Sequence, residues 1–183
     1  GFFKIVGGGT VHLPLWKSLT LHTSLNGGIL QPLTYGGLCP SSTTSHISDR
    51  FFVGGPLQLR GFLPSGIGPR AATGGSSTPG GDALGGDFFY TATMAASIPF
   101  PGISFLRDNG VRLMAFGNMG TLTGLGPSLS WESIARSSRA AVGGGLTVGT
   151  SFGRLEATYA IPLRYSPRDA RRSVQAGLGF TFG

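Results

Sequence analysis

The fold of this 183-residue chain is decided by its last segment, Ser173–Phe182, which reads SVQAGLGFTF. Apolar side chains occupy every even-numbered position of the segment, and small or polar residues occupy every odd-numbered one. A period of two places alternate side chains on opposite faces of an extended chain. The segment is therefore predicted to be a β-strand with one apolar face and one polar face.

Six earlier segments are also interpreted as strands. Five of them alternate in the same way, whereas the segment Val111–Gly120 carries large residues on both faces, including Met114 and Phe116. A strand that is apolar on both faces is buried on both sides, so we expect something to pack against its inner face. The other five segments are Phe3–Leu15, Leu19–Ile29, Asp87–Ile98, Arg139–Val148 and Arg154–Tyr165.

The composition favours strands that lie in a lipid bilayer. Charged residues make up 11% of the chain, and 33 residues are glycine, whereas about 25% of an ordinary soluble domain is charged. No run of apolar residues is long enough for a transmembrane helix, and strands of about ten residues suit a membrane barrel. We therefore predict an all-β fold, a transmembrane antiparallel β-barrel. Because seven strands do not close an even-numbered barrel, residues 1–183 are expected to be the C-terminal part of a larger barrel, and the chain a fragment.

A long connection, residues 31–86, separates the second and third predicted strands. Loops of this length are either functional or disordered. Its part Asp49–Ile67 is rich in apolar residues and is expected to be ordered, whereas Thr73–Gly81 is rich in glycine and serine and is expected to be mobile.

Charge and motifs exclude several classes of function. The net charge is +7, but no basic run exceeds Arg171-Arg172, so nucleic acid is not an expected partner. His12 and His22 are predicted to line the barrel interior, and neither they nor His46 stand at metal-ligand spacing with Cys39 or a carboxylate. No phosphate-binding loop or nucleophile elbow is present. The chain is therefore predicted to be no enzyme, with no metal and no cofactor; a passive porin stays open.

The long connection contains Arg50–Phe62, which reads RFFVGGPLQLRGF. This stretch resembles the signature of the outer-membrane β-barrel assembly superfamily, in which an inward-folded loop carries a tetrad ending in Arg-Gly-Phe or Arg-Gly-Tyr. The resemblance covers Phe3 to Gly183 and corresponds to the last seven of sixteen strands, and the Gly-Gly-Pro before the tetrad is more similar to the mitochondrial branch. The resemblance implies that the connection of residues 31–86 folds into the barrel. The site residues that it implies in this connection are Gly54, Gly55, Pro56, Leu59, Arg60, Gly61 and Phe62.

A second family motif lies on the doubly apolar strand. Arg112, Phe116 and Gly120 match it, but Asn118 stands where the family has aspartate. The resemblance makes these residues the wall on which the loop docks, with Asn118 able to accept a neutral hydrogen bond. The acidic partner expected for Arg60 is then Glu156, on the polar face of a later strand, because a guanidinium inside a barrel must be paired and its fork suits a carboxylate.

The last strand matches a third family motif, the β-signal of mitochondrial barrel proteins. Its residues here are Gln175, Gly177, Phe180 and Phe182. The resemblance implies a protein that inserts barrel precursors into the mitochondrial outer membrane through a lateral seam at the last strand, together with accessory subunits and the lipid bilayer. A bacterial or plastid outer membrane, and a protein-translocation channel of the same superfamily, stay open as alternatives.

Overall fold

Seven long strands form one antiparallel sheet in the computed structural model, which describes residues 1–16, 18–34, 37–38, 45–71, 81–125, 130–150 and 153–180. Each long strand pairs with the next one along the chain, which leaves β1 and β8 at the two edges. The two-residue strand β3 pairs only with the end of β2. The strands are β1 (Phe2–Pro14), β2 (Thr20–Thr34), β3 (Gly37–Leu38), β4 (Phe88–Pro99), β5 (Val111–Thr123), β6 (Arg139–Thr150), β7 (Gly153–Arg164) and β8 (Val174–Phe180).

The second strand is longer than the sequence predicts. It continues to Thr34, because Gln31 and Pro32 pair with Phe3 and Phe2 of β1. These two residues interrupt the apolar alternation, so the pattern ends before the hydrogen-bonded ladder does. Phe182, Cys39 and residues 73–80 of the segment predicted to be mobile lie outside the described residues.

Two connections between predicted strands contain short helices that the alternation pattern does not indicate, α1 (Ser104–Asp108) and α2 (Trp131–Ser137). In α2, the side chains of Ser130 and Ser133 form a reciprocal capping box, which satisfies backbone N–H groups that a helix start leaves free. A 3₁₀ turn spans Ile47–Asp49 in the long connection. Among the described residues, no helix has both the length and the apolar character that a membrane crossing needs.

The two faces of the sheet are the reverse of those in a soluble sandwich. On β7 the outward side chains Leu155, Tyr159 and Leu163 are exposed, whereas Glu156 and Thr158 on the other face are buried. An exposed apolar face and a covered polar face are typical of a barrel that has lipid outside. The sheet therefore has a lipid-facing side and an inward side.

The buried core lies on the inward side, between the sheet and the long connection. We call residues 45–71 of this connection the inward loop. It packs apolar side chains on residues from β2, β4, β5 and β6, which gives the doubly apolar strand β5 the inner partner that its pattern predicted. The cluster consists of Phe51, Val53, Leu59, Phe62 and Ile67 from the loop and Leu30, Phe89, Leu122 and Ala141 from the sheet.

Candidate functional site

The inward loop turns back on itself just before its Leu-Arg-Gly-Phe tetrad. The N–H of Gly55 donates to the carbonyl of Phe62 at 3.0 Å, and the N–H of Leu59 donates to the carbonyl of Gly55 at 3.0 Å. The side-chain oxygen of Gln58 accepts from the N–H of Gly54. These bonds close a tight turn around Pro56 and present the tetrad residues, Leu59 to Phe62, to the inner wall.

Arg60 points from this turn onto Glu156 of β7. Its Nε and Nη2 donate to Oε1 and Oε2 of Glu156, both at 2.9 Å, across 96 residues of chain. The side chains are 9% and 1% exposed, and Nη2 of Arg154 lies 3.4 Å from Glu156 Oε2. A bidentate hydrogen bond of this kind orients the guanidinium as well as neutralising its charge. The pair therefore holds the loop at one place on the wall.

Strand β5 supplies the rest of the docking surface. The guanidinium of Arg60 lies over the ring of Phe116, with Cζ 4.9 Å from the ring centroid, a favourable cation–π geometry. Asn118 Nδ2 donates to the backbone carbonyl of Arg60 at 3.3 Å. A methyl group placed at Gly120 would lie 3.3 Å from Cδ1 of Leu59, so this glycine gives the leucine its room.

The structure corrects two details of the predicted wall. Asn118 donates its hydrogen bond, whereas the sequence expected it to accept one, because the atom that faces it is a carbonyl oxygen. Arg112 is on the correct face but at the wrong depth: its guanidinium bonds to Ser97 and Thr20 near the other end of β5. Four residues separate Arg112 from Phe116, about 13 Å along a strand, so Arg112 does not dock the tetrad.

The histidines predicted to line the interior lie in the same region as Arg112. His12 and His22 are direct cross-strand partners, with their Nδ1 atoms 2.5 Å apart. The Nε2 atom of His22 is 2.9 Å from the hydroxyl of Ser97. A continuous polar network therefore joins β1, β2, β4 and β5 on the inward side, and its two histidines line the same cavity as Arg60 and Glu156.

The terminal strand binds the tetrad directly, which the sequence analysis missed. The side-chain oxygen of Gln175 accepts from the N–H of Gly61 at 2.8 Å, and its Nε2 donates to the carbonyl of Phe62 at 2.7 Å. A methyl group placed at Gly177 would lie 3.1 Å from Leu57 and 3.2 Å from Pro56. Gln175 and Gly177 are thus the inner contacts of β8 with the loop; Phe180 is the last residue of β8, and Phe182 lies outside the described residues.

Known proteins share this architecture. The family model of the Omp85 superfamily domain matches residues 1–182. The chain belongs to the Omp85 superfamily. It is 34% identical over 178 residues to the sorting and assembly machinery component 50 homolog of Xenopus tropicalis, an alignment that covers 91% of this chain and 34% of that protein. It is 29% identical over 170 residues to the sorting assembly machinery 50 kDa subunit of Saccharomyces cerevisiae, covering 90% and 32%.

A solved structure extends the similarity to the fold. The crystal structure of BamA from Haemophilus ducreyi lacking POTRA domains 1–3 matches with a TM-score of 0.72 at 22% identity, covering 96% of this chain and 34% of that one. The predicted family and the all-β antiparallel fold are confirmed. The relatives place the chain in the mitochondrial outer membrane. The chain spans about a third of the length of the relatives it matches.

A second buried ion pair of this Omp85 chain had no signal in the sequence analysis. Arg139, at the start of β6, donates through Nε to Asp169 at 3.0 Å, and the side chains are 12% and 1% exposed. Asp169 lies in the connection between β7 and β8, and the backbone of this connection also bonds to the inward loop. The N–H of Leu63 donates to the carbonyl of Ala170, and the N–H of Arg172 donates to the carbonyl of Gly61. The loop, the connection and β8 therefore form one contact unit.

Gly61 is the backbone position on which this unit depends most. Its φ is +91°, and a methyl group added there would lie 3.1 Å from the side chain of Ala141. We expect Gly61→Ala to destabilise the docked loop by about 1–3 kcal/mol more than the same change at Gly102, because both positions carry the strain of a positive φ but only the methyl group at Gly61 meets a packed neighbour. The check is the temperature at which the full-length protein loses its compact barrel band on gel electrophoresis. Gly102→Ala is the control, since Gly102 has a φ of +85° but no neighbour within 4 Å; an equal shift in both variants would contradict the assignment.

Proposed function

We propose that the protein containing this chain inserts and assembles β-barrel proteins into the mitochondrial outer membrane, and that β8 forms the seam at which clients pair. The names of the relatives, sorting and assembly machinery components, support the process. The match of the last strand, through Gln175, Gly177 and Phe180, to the β-signal of the family supports the place. An edge strand presents unpaired backbone groups that can template an incoming strand.

The observation that carries the proposal is the double hydrogen bond of Gln175 to the tetrad. The inward loop holds β8 from inside the barrel, and Arg60 holds the loop on β7. The edge strand is therefore kept in position by contacts that leave its free edge available. This arrangement suits a strand that repeatedly pairs with and releases a partner.

The proposed mechanism needs no nucleotide and no covalent step. A precursor strand pairs with the edge of β8, and later strands follow while their apolar faces enter the bilayer. Burial of those faces supplies the free energy. Client barrel precursors and accessory subunits are the partners that this proposal requires. The loop fills the inner wall with apolar side chains, which favours this function over a passive porin, and the names of the relatives favour it over a translocation channel of the same superfamily.

Site-specific crosslinking tests the seam. A photoreactive residue at Ala176, exposed on β8, is expected to crosslink to an arriving barrel precursor in isolated mitochondria. The matched control is Ala115, an exposed alanine on the outward face of β5 in the middle of the sheet, where no crosslink is expected because both edges of β5 are already paired. Equal crosslinking at the two positions would contradict a seam at β8.

A further inference from the structure

Five arginines cluster at the end of the sheet where β7 leads into β8. Arg136 lies on α2, Arg164 is the last residue of β7, and the other three lie in the β7–β8 connection. Arg164 donates a hydrogen bond to the backbone carbonyl of Arg136 at 3.0 Å. All five are exposed. We call this set the arginine patch; it consists of Arg136, Arg164, Arg168, Arg171 and Arg172.

The acidic groups near the patch are already engaged. Glu132 pairs with Arg136, and Asp169 is buried and holds Arg139 and the N–H of Ser166. In the part of the chain that the structure describes, no ion pair involves Arg168, Arg171 or Arg172. The patch therefore carries an excess of positive charge that its own surroundings do not neutralise.

The patch adjoins the lipid-facing side of the sheet. The connection that carries most of it leaves β7 after Leu163, which is 62% exposed, and enters β8 at Val174, which is 67% exposed. Arg171 stacks on Tyr165, with Cζ 3.9 Å from the ring centroid. Aromatic residues and arginines beside an apolar band are typical of the headgroup level of a bilayer.

We propose that the arginine patch is a binding site for the phosphate of an anionic glycerophospholipid, next to the start of β8. A guanidinium fork suits a phosphate oxygen pair, and Arg171, which stacks on Tyr165, lies in the same connection as the exposed Arg168 and Arg172. A headgroup beside the lipid-facing residues Leu163 and Val174 would therefore meet several unneutralised guanidinium groups. The proposal goes beyond barrel assembly and does not depend on it, because it requires only that the sheet lies in a bilayer.

Lipid selectivity of the full-length protein tests the site. The protein is reconstituted into phosphatidylcholine vesicles that contain a trace of spin-labelled phosphatidic acid or of spin-labelled phosphatidylcholine. The wild type is expected to immobilise the acidic label preferentially, and Arg171→Gln/Arg172→Gln is expected to lower that preference at least about five-fold, since an arginine near a charged surface contributes roughly that factor. Arg107→Gln, an exposed arginine beside Asp108 on α1, is the control and should leave the preference unchanged.

Four outcomes would overturn the proposal. These are an unchanged preference in the double variant, an equal loss in the control, binding of inorganic phosphate without any preference for the acidic label, and loss of a co-purifying acidic subunit while lipid preference is kept. The last two would indicate free phosphate or an acidic protein as the ligand. If the double variant does not fold, the wild type is measured alone at increasing ionic strength. Its preference for the acidic label is expected to fall, and a constant preference would overturn the proposal.

Discussion

Replacing Arg60 by alanine is expected to release the inward loop from the wall and to abolish most assembly of client barrels, while the protein stays in the membrane. The pair with Glu156 is buried, with side chains 9% and 1% exposed. Removal of one partner of a buried pair costs about 3 kcal/mol or more, because the other charge is left uncompensated. We expect the lower end of this range, since Arg154 lies 3.4 Å from Glu156 and remains as a partner.

Two measurements on the full-length protein check this result. Protease should cut the loop of Arg60→Ala faster than that of the wild type, and a radiolabelled barrel precursor should reach its assembled form in mitochondria at a small fraction of the normal rate. Arg154→Ala is the matched control: its side chain is 40% exposed and makes one longer contact with Glu156, so it should change both readouts much less. Arg60→Lys keeps the charge but loses the fork, and it should rescue the variant only in part.

The outcomes separate the contact from the function. Wild-type assembly by Arg60→Ala with a loosened loop would contradict the role of the loop in assembly. Wild-type protection of the loop would contradict the role of the ion pair in holding it. Damage by Arg154→Ala as large as that by Arg60→Ala would mean that the total positive charge near Glu156 matters more than the geometry of the fork.

The strands could be predicted because a local pattern encodes them. The period of two in Ser173–Phe182 depends only on neighbouring residues. Because one face of such a strand contacts lipid, that face carries apolar residues without interruption. The helix α2 was missed for the opposite reason, since a seven-residue helix is too short for a 3.6-residue period to emerge. The strand β2 was predicted too short because Gln31 and Pro32 break the pattern, although they pair with β1 and the two residues that follow pair with β3.

The site could be predicted only as a set of residues and one pairing. The family resemblance implied that Arg60 lies inside the barrel against acidic groups of the wall, and Glu156 was a carboxylate on a polar strand face, so the resemblance and charge balance together suggested that pair. The sequence did not show how far along the strand each wall residue lies from the tetrad. Arg112 shares a face with Phe116 but lies about 13 Å away along the strand. Gln175 and Gly61 are separated by 114 residues of chain. Their contact depends on the register of every strand from the wall on which the loop docks to the last strand. No local pattern carries that information.

Gln175→Leu is expected to separate β8 from the inward loop while the sheet remains folded. The leucine fills a similar volume but leaves the N–H of Gly61 without its partner, and a buried unpaired group costs about 1–3 kcal/mol. The carbonyl of Phe62 loses the bond from Gln175 and keeps the one from the N–H of Gly55. Both bonds are short, at 2.8 and 2.7 Å, and both lie among buried groups. We therefore expect a destabilised docking of β8, seen as faster hydrogen exchange of the amides of β8 in the full-length protein.

Assembly of client barrels should fall in the same variant, because a strand that is no longer held from inside does not keep its edge aligned with the incoming strand. Ala176→Leu is the control on the adjacent residue, since Ala176 is exposed on the outward face and makes no inner contact with the tetrad. Gln175→Glu retains an acceptor for the N–H of Gly61 but places a buried carboxylate against the Phe62 carbonyl, so it should disturb the docking of β8 at least as much as the leucine variant. If Gln175→Leu assembles clients normally while β8 exchanges faster, alignment of the edge by the loop is not what makes β8 the pairing strand, because the seam would then act through its free backbone groups alone.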